Sequence, residues 1–205
     1  MSTRTDERPE ILSLSVEELA EKVKDLGHKS YRARQIFHWL HGRRALTFDE
    51  MSDLPLELRA ELTRRFSIPR LEIAGVQTDE AGTAKYLFPR AAKDGAPNLH
   101  IESVLIRTPN RRTACLSSQV GCAQACQFCV TGQLQLRANL APWEIEGQIL
   151  AMERHSGEHI DHVVYMGMGE PFDNWRNVSR SLYLLRHHMG LGLSAKRITV
   201  STGGV

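Results

Sequence analysis

The second half of the chain alternates between helix and strand patterns. Residues 142–156 and 175–190 have helical periodicity, whereas 159–169 and 196–202 are short, β-branched runs typical of strands. Such alternation indicates strand–helix units on a parallel sheet. Only about three units are present, too few to close a barrel. We therefore predict an α/β fold containing a partial (β/α) barrel, and we expect the chain to be a C-terminally truncated product.

The N-terminal residues have a helical pattern instead. Helices are predicted in SVEELAEKVKDLG, SYRARQIFHWLHG and PLELRAELTRRF. Ser15 and Glu18 have the spacing of a capping box, and Gly27 marks the end of the first helix. These patterns predict a small helical domain over residues 1–68.

The residues between these two parts are rich in β-formers. LEIAGVQT, TAKYLFP and HIESVLIRT predict antiparallel strands, separated by turns at EAG and KDGAPN. We therefore divide the chain into a helical domain (1–68), an antiparallel β region (69–110) and the first half of a barrel (111–205).

Composition excludes several classes of protein. The N-terminal MSTRTDERPEILSLS has no apolar core of a secretory signal, and the apolar runs are too short to span a membrane. The sequence therefore predicts a cytoplasmic protein with no membrane partner. The net charge is only +2, so the overall charge balance says nothing about a partner. Residues 27–47, however, contain no acid and form a basic segment: His28, Lys29, Arg32, Arg34, His38, His41, Arg43 and Arg44.

All four cysteines lie within fifteen residues. Disulfides between them would close very small loops and constrain the unfolded chain little. Cys122, Cys126 and Cys129 can instead hold three irons of a [4Fe-4S] cluster and leave the fourth iron open. Phe128 completes the pattern C-x3-C-x-F-C. A zinc site with Cys115 as fourth ligand is the alternative.

These cysteines and two further motifs resemble one family. LSSQVGCAQACQFC, YMGMGEP and ITVSTGGV are similar to the radical S-adenosylmethionine RNA adenine C2-methyltransferases, which modify 23S rRNA and some tRNAs. YRARQIFHWLH and FDEMSDLP are also similar to that family. The resemblance implies a partial barrel preceded by an RNA-facing helical domain.

The resemblance also implies roles for individual residues. It assigns the cluster to Cys122, Cys126 and Cys129, with S-adenosyl-L-methionine on the open iron. Gly169 and Glu170 follow a predicted strand, and the resemblance places them beside this cofactor. From sequence alone, such a glycine turn is more often structural.

Three more residues receive roles in the same way. Ser201 would touch the cofactor, although a serine at a strand end is more often a cap. Glu102 would accept a proton, although its alternating position also suits the solvent face of a strand. Cys115 would resolve a covalent protein–RNA adduct. The family's methyl-carrying cysteine near the C-terminus has no counterpart, because no cysteine follows Cys129.

The resemblance implies RNA as substrate, an electron donor such as flavodoxin, and a monomer. Two alternatives stay open from the sequence. One is a metal-stabilised RNA-binding module without catalysis. The other is an enzyme of the antibiotic-resistance type, which methylates adenine C8.

Overall fold

The computed structural model describes residues 8–90 and 99–205, which form two compact units. Of the described residues, the first unit comprises 8–69 with Leu184–Gly192, and the second comprises 70–90 and 99–183 with Leu193–Val205. The division into three domains stays a prediction, and the turn predicted at KDGAPN lies outside the described residues. No helix in the described ranges is long and apolar enough to cross a membrane.

The first unit contains the three predicted helices: α1 (Val16–Asp25), α2 (Arg32–Phe37) and α3 (Leu56–Arg65). The capping box at Ser15 and Glu18 is formed, and Gly27 takes a positive φ just after α1. A π-helical turn, His38–Gly42, continues α2. Apolar residues from these segments form the core of the unit: Leu19, Val23, Ile36, Phe37, Leu40, Leu58 and Leu62.

The second unit is built on a six-stranded sheet with the order β1-β2-β3-β4-β7-β8. Its strands are β1 (Gly75–Thr78), β2 (Ala84–Arg90), β3 (Leu99–Thr108), β4 (Arg111–Cys115), β7 (His162–Tyr165) and β8 (Ile198–Val200). A separate pair joins β5 (Gln119–Val120) to β6 (Ala138–Asn139). The first four strands are antiparallel, and β4, β7 and β8 are parallel.

Strand β4 was not predicted. It pairs antiparallel with β3 through a two-residue turn and parallel with β7, so the pairing changes direction at this strand. The antiparallel β region and the partial barrel therefore share one continuous sheet. The sequence of β4 does not have a strand pattern. Its first two residues, Arg111 and Arg112, are charged, and only three weakly polar or apolar residues follow them.

Two helices cover one face of this sheet, as the alternation predicts. They are α4 (Pro142–Ser156) and α5 (Trp175–Arg186). Ser103 donates a 2.5 Å hydrogen bond to Gln148 on α4, and the hydroxyls of Tyr165 and Ser181 lie 2.7 Å apart. On the other face, the described part of the sheet leaves side chains partly or fully exposed: Glu102, Val104, Cys115, Val164 and Thr199. We call this the open face.

Candidate functional site

Three loops follow the carboxyl ends of the parallel strands. We call them the cysteine loop (116–137, after β4), the glycine loop (166–170, after β7) and the tail (201–205, after β8). Parallel strands end at the same edge of a sheet, where α/β proteins commonly bind ligands. The motifs singled out in the sequence are therefore brought to one edge.

A buried serine joins the cysteine and glycine loops to β3. The hydroxyl of Ser117 donates a 2.5 Å hydrogen bond to the carbonyl of Glu102 and accepts one of 2.8 Å from the backbone N–H of Met168. Gln119 adds a second connection, because its Oε1 accepts from the Glu170 N–H at 2.8 Å. These bonds set the backbone positions of the residues expected in the site.

The two glycines of the glycine loop allow close packing against the cysteine loop. A Cβ at Gly167 would lie 2.7 Å from the carbonyl oxygen of Leu116, and one at Gly169 would lie 2.5 Å from the Cβ of Gln119. Gly169 also has φ +98°. The space provided by the missing side chains is therefore filled by the protein's own loop.

Glu170 links the glycine loop to the tail. Its buried carboxylate accepts hydrogen bonds from the backbone N–H groups of Phe172 at 2.9 Å and Gly203 at 2.8 Å. Burial alone would raise the pKa of Glu170, but hydrogen bonds from Gly203, Phe172 and Thr202 lower it below its ordinary value. Glu170 is therefore held as a carboxylate. Ser201, next to this link, has an exposed side chain.

The cysteine loop is wound into tight turns. The N–H of Cys129 donates to the carbonyl of Cys126 at 3.1 Å, and that of Gly132 donates to Cys129 at 3.0 Å. A Cβ at Gly132 would meet the Cys126 carbonyl oxygen at 2.7 Å. Gln124 donates a 2.6 Å hydrogen bond to Asp173, which attaches the loop to the segment after the glycine loop.

All four cysteines are free and partly exposed. Within residues 8–90 and 99–205, no three His, Cys, Asp or Glu side chains form a group able to hold a metal ion. The sulfurs of Cys122, Cys126 and Cys129 would therefore have to turn toward one another to share a cluster. Their number and type nevertheless suit iron, because thiolates are the usual protein ligands of iron–sulfur clusters.

Glu102 and Cys115 lie on the open face of the sheet, on neighbouring strands. Cys115 is paired with Val104 on β3, so Glu102 is its diagonal neighbour. The Cα atoms of diagonal neighbours are usually about 7–8 Å apart. Burial raises the pKa of the Cys115 thiol, and a hydrogen bond with the Met166 backbone opposes this rise. The half-exposed Glu102 carboxylate lies 3.9 Å from the ammonium of Lys85.

A cavity of about 670 Å³ lies beside Glu102 and the cysteine loop. Its lining combines polar groups of Glu102, His100, Arg137 and Gln133 with the apolar side chains of Leu99, Val120, Val130 and Leu134. Apolar walls with a few polar groups are typical of small-molecule and base-binding sites. Cys115 does not line this cavity.

Residues 9–68 match the family described as the ribosomal RNA large subunit methyltransferase N-terminal domain. The dual-specificity RNA methyltransferase RlmN of Geobacter sulfurreducens is 45% identical over 196 residues, which cover 96% of this chain and 52% of the relative. Nearly the whole of this chain is therefore similar in sequence to that relative. The RlmN of Syntrophus aciditrophicus is 42% identical, with 97% of this chain and 56% of the relative covered.

A solved structure agrees with the fold of this chain. The crystal structure of a radical SAM methyltransferase from Sphaerobacter thermophilus matches with a TM-score of 0.83 and 39% sequence identity. The match covers 96% of this chain and 57% of that one. The mixed α/β fold with a partial sheet is thereby confirmed. The chain spans about half the length of the curated relatives it matches.

Several residues of the candidate site were not predicted from the sequence. Ser117, Gln119, Gln148 and Asn174 are buried polar residues that join the loops at the sheet edge. The run LSSQV carries a signal that could have found the first two. Its polar residues stand between the apolar Leu116 and Val120, a position that favours burial, and buried polar groups are hydrogen-bonded.

Only some side chains of the basic segment in the helical unit are exposed. His41 is completely buried, with its ring 4.3 Å from that of Phe37, so it belongs to the core. Lys29, Arg34, His38 and Arg43 are exposed. The basic surface is therefore smaller than the sequence predicts.

Proposed function

We propose that this chain belongs to a radical S-adenosylmethionine methyltransferase that acts on C2 of an adenosine in 23S rRNA and tRNA. The observation that carries the proposal is the meeting of the cysteine loop, the glycine loop and the tail at one sheet edge, next to the cavity lined by Glu102. The names of the relatives support the same chemistry.

Cys122, Cys126 and Cys129 would hold a [4Fe-4S] cluster. Three thiols within eight residues of one loop provide three ligands and leave one iron open. When bound there, S-adenosyl-L-methionine supplies a 5′-deoxyadenosyl radical after one-electron reduction. An electron donor such as flavodoxin would provide the electron.

Glu170 supports this cofactor site through the protein backbone. Both of its carboxylate oxygens accept backbone N–H groups, so it fixes the tail against the glycine loop. Gly169 permits the close approach of the glycine loop to Gln119 of the cysteine loop, and the exposed Ser201 hydroxyl is available to a ligand at the same edge. We assign Gly169 and Glu170 to positioning, and Ser201 to direct contact.

Glu102 and Cys115 are the proposed catalytic groups. Glu102 lines the cavity, where its carboxylate would accept a proton from a bound ligand, and the Lys85 ammonium lies 3.9 Å from it. The raised pKa keeps the Cys115 thiol protonated at neutral pH, so it would attack an adduct only after losing its proton to a base. Glu102 is the diagonal neighbour of Cys115 in the register of β3 and β4.

Anaerobic reconstitution with iron and sulfide tests the proposal. We expect about four irons per chain and formation of 5′-deoxyadenosine from S-adenosylmethionine under reduction. Well-folded protein that takes up zinc stoichiometrically and never iron would instead be a metal-stabilised RNA-binding module. Mass spectrometry of RNA treated with a C-terminally extended version would separate methylation at adenine C2 from methylation at C8.

A further inference from the structure

The backbone after α2 is unusually constrained. A π-helical turn, which is rare and frequently found at functional sites, spans His38–Gly42. A Cβ at Gly42 would lie 2.5 Å from Nδ1 of His38 and 2.6 Å from the carbonyl of Met189, so only glycine fits. Arg44 then adopts φ +61°, a left-handed conformation that is uncommon for non-glycine residues. Arg43 lies between these two constrained positions.

The ring of Trp39, a residue of this turn, is oriented by a hydrogen bond to Asp53. Its Nε1–H donates a 2.6 Å hydrogen bond to Oδ1 of Asp53, and Oδ2 of the same carboxylate accepts from Gln35 at 3.0 Å. Both hydrogen-bonding sides of Asp53 are therefore used to orient the indole. The half-exposed ring forms a fixed flat surface.

Arg43 lies over this surface. The guanidinium carbon is 4.3 Å from the centre of the Trp39 ring, and the Arg43 backbone N–H donates to the His38 carbonyl at 2.8 Å. The side chain is exposed, and the described residues provide no hydrogen bond or ion pair to its guanidinium. Stacking thus orients the group while its N–H donors stay available.

Arg32 provides an internal comparison. Its guanidinium carbon lies 4.9 Å from the ring centre of Tyr31, so it also stacks on an aromatic side chain. However, its Nη1 donates to Oε1 of Gln35 at 2.8 Å and to the carbonyl of Asp53 at 3.0 Å. Arg32 is therefore engaged by acceptors of the protein itself, whereas the guanidinium of Arg43 faces solvent.

We infer that Arg43, stacked on Trp39, is a preorganised binding group for an RNA phosphate. A guanidinium presents parallel N–H donors that match two phosphate oxygens, and a stacked guanidinium loses less freedom on binding than a mobile one. The constrained turn determines where this group lies. The inference rests on the proposed function in one respect, because it requires that the chain binds RNA.

Fluorescence anisotropy with a labelled RNA stem–loop over a salt series tests this assignment. Loss of one phosphate contact lowers the slope of log affinity against log salt by about one. We expect that decrease in Arg43→Gln and an unchanged slope in Arg32→Gln. Arg43→Lys should keep the slope, since the charge remains, but lose roughly two- to tenfold in affinity because a lysine cannot bind two oxygens side by side.

Far-ultraviolet circular dichroism and thermal midpoints must show that each variant is folded. An Arg43→Gln protein with the slope and affinity of the unmodified protein would overturn the inference and leave the proposed function standing. Equal slope losses in Arg43→Gln and Arg32→Gln would also overturn it, because the contribution would then be diffuse charge. No RNA binding by the unmodified protein would contradict both the RNA part of the proposed function and this inference.

Discussion

Glu170 and Gly203 are joined by a 2.8 Å hydrogen bond from the glycine N–H to Oε2 of the carboxylate. The bond connects residues that lie 33 positions apart and fixes the tail to the glycine loop. The same carboxylate also accepts a hydrogen bond from the backbone N–H of Phe172, just after the glycine loop. One side chain therefore orders the end of the glycine loop and holds the tail to it.

Replacing Glu170 by Gln should reduce stability at neutral pH. A glutamine keeps one acceptor oxygen, and its amide nitrogen cannot accept the second backbone N–H. Loss of a charge-assisted bond in a buried position should lower the free energy of unfolding by roughly 1–3 kcal/mol, measured with urea. Glu80→Gln, at an exposed turn position, is the matched control and should be neutral.

The same carboxylate predicts a pH dependence. The pKa of Glu170 is lower in the folded state than its ordinary value of 4.5. Its stabilising contribution is therefore fully present above pH 4.5 and is lost as pH falls through the lower, folded-state pKa. Urea titrations from neutral pH down through this region should show a smaller acid-induced loss of stability in Glu170→Gln than in the unmodified protein. Equal losses would show that Glu170 does not titrate in this way.

Two adjacent buried serines should respond differently to alanine substitution. The Ser117 hydroxyl makes two hydrogen bonds, whereas the Ser118 hydroxyl has no hydrogen-bond partner in the described structure. Ser117→Ala leaves the Met168 N–H without its acceptor and should cost about 1–3 kcal/mol of unfolding free energy. Ser118→Ala should be neutral or slightly stabilising. Similar losses in both variants would contradict the hydrogen-bond network described above.

Gly169 should tolerate alanine less well than Gly157. Both residues have a positive φ, +98° for Gly169 and +72° for Gly157. A Cβ at Gly169 would lie 2.5 Å from the Cβ of Gln119, whereas a Cβ at Gly157 would have no atom within 4 Å. Gly157→Ala should cost about 1–2 kcal/mol from backbone strain alone. Gly169→Ala adds a steric clash, so its thermal midpoint should fall further. Equal thermal midpoints in the two variants would show that the glycine loop can move away from the cysteine loop at little cost.

Cys115 should be alkylated slowly at neutral pH. Burial raises the pKa of its thiol, and only the thiolate reacts. The test uses a variant in which the other three cysteines are changed to serine. The rate at which iodoacetamide alkylates Cys115 should rise with pH, and in the folded protein this rise should occur at higher pH than in the same chain unfolded in urea. Coincident curves would show that the folded environment does not protect the thiol.

Local patterns were sufficient to predict much of the fold. Helix α4 follows from the periodicity of residues 142–156, and the start of α1 follows from the pairing of Ser15 with Glu18. Each signal lies within a few residues of its structural effect. The parallel pairing of β7 with β8 followed from the alternation of helix and strand, whereas β4 and its pairing with β7 did not.

Long-range packing was not predictable in the same way. The contact of Gly169 with Gln119 joins residues fifty positions apart, and nothing near either residue indicates its partner. Burial of His41 depends on its position in a π turn, which helical periodicity does not reveal. The cysteine spacing predicts ligands, whereas the orientations of the thiols depend on a loop whose turns have no regular pattern.

The iron content of cysteine variants tests the proposed cluster most directly. After anaerobic reconstitution, Cys115→Ala should retain about four irons per chain and cleave S-adenosylmethionine, whereas Cys126→Ala should lose both properties. The physical reason is that a cluster with one open iron requires three protein thiolates, and Cys115 lies on strand β4, outside the cysteine loop. If Cys115→Ala loses iron as readily as Cys126→Ala, then Cys115 is a metal ligand and the roles assigned to the four cysteines are wrong.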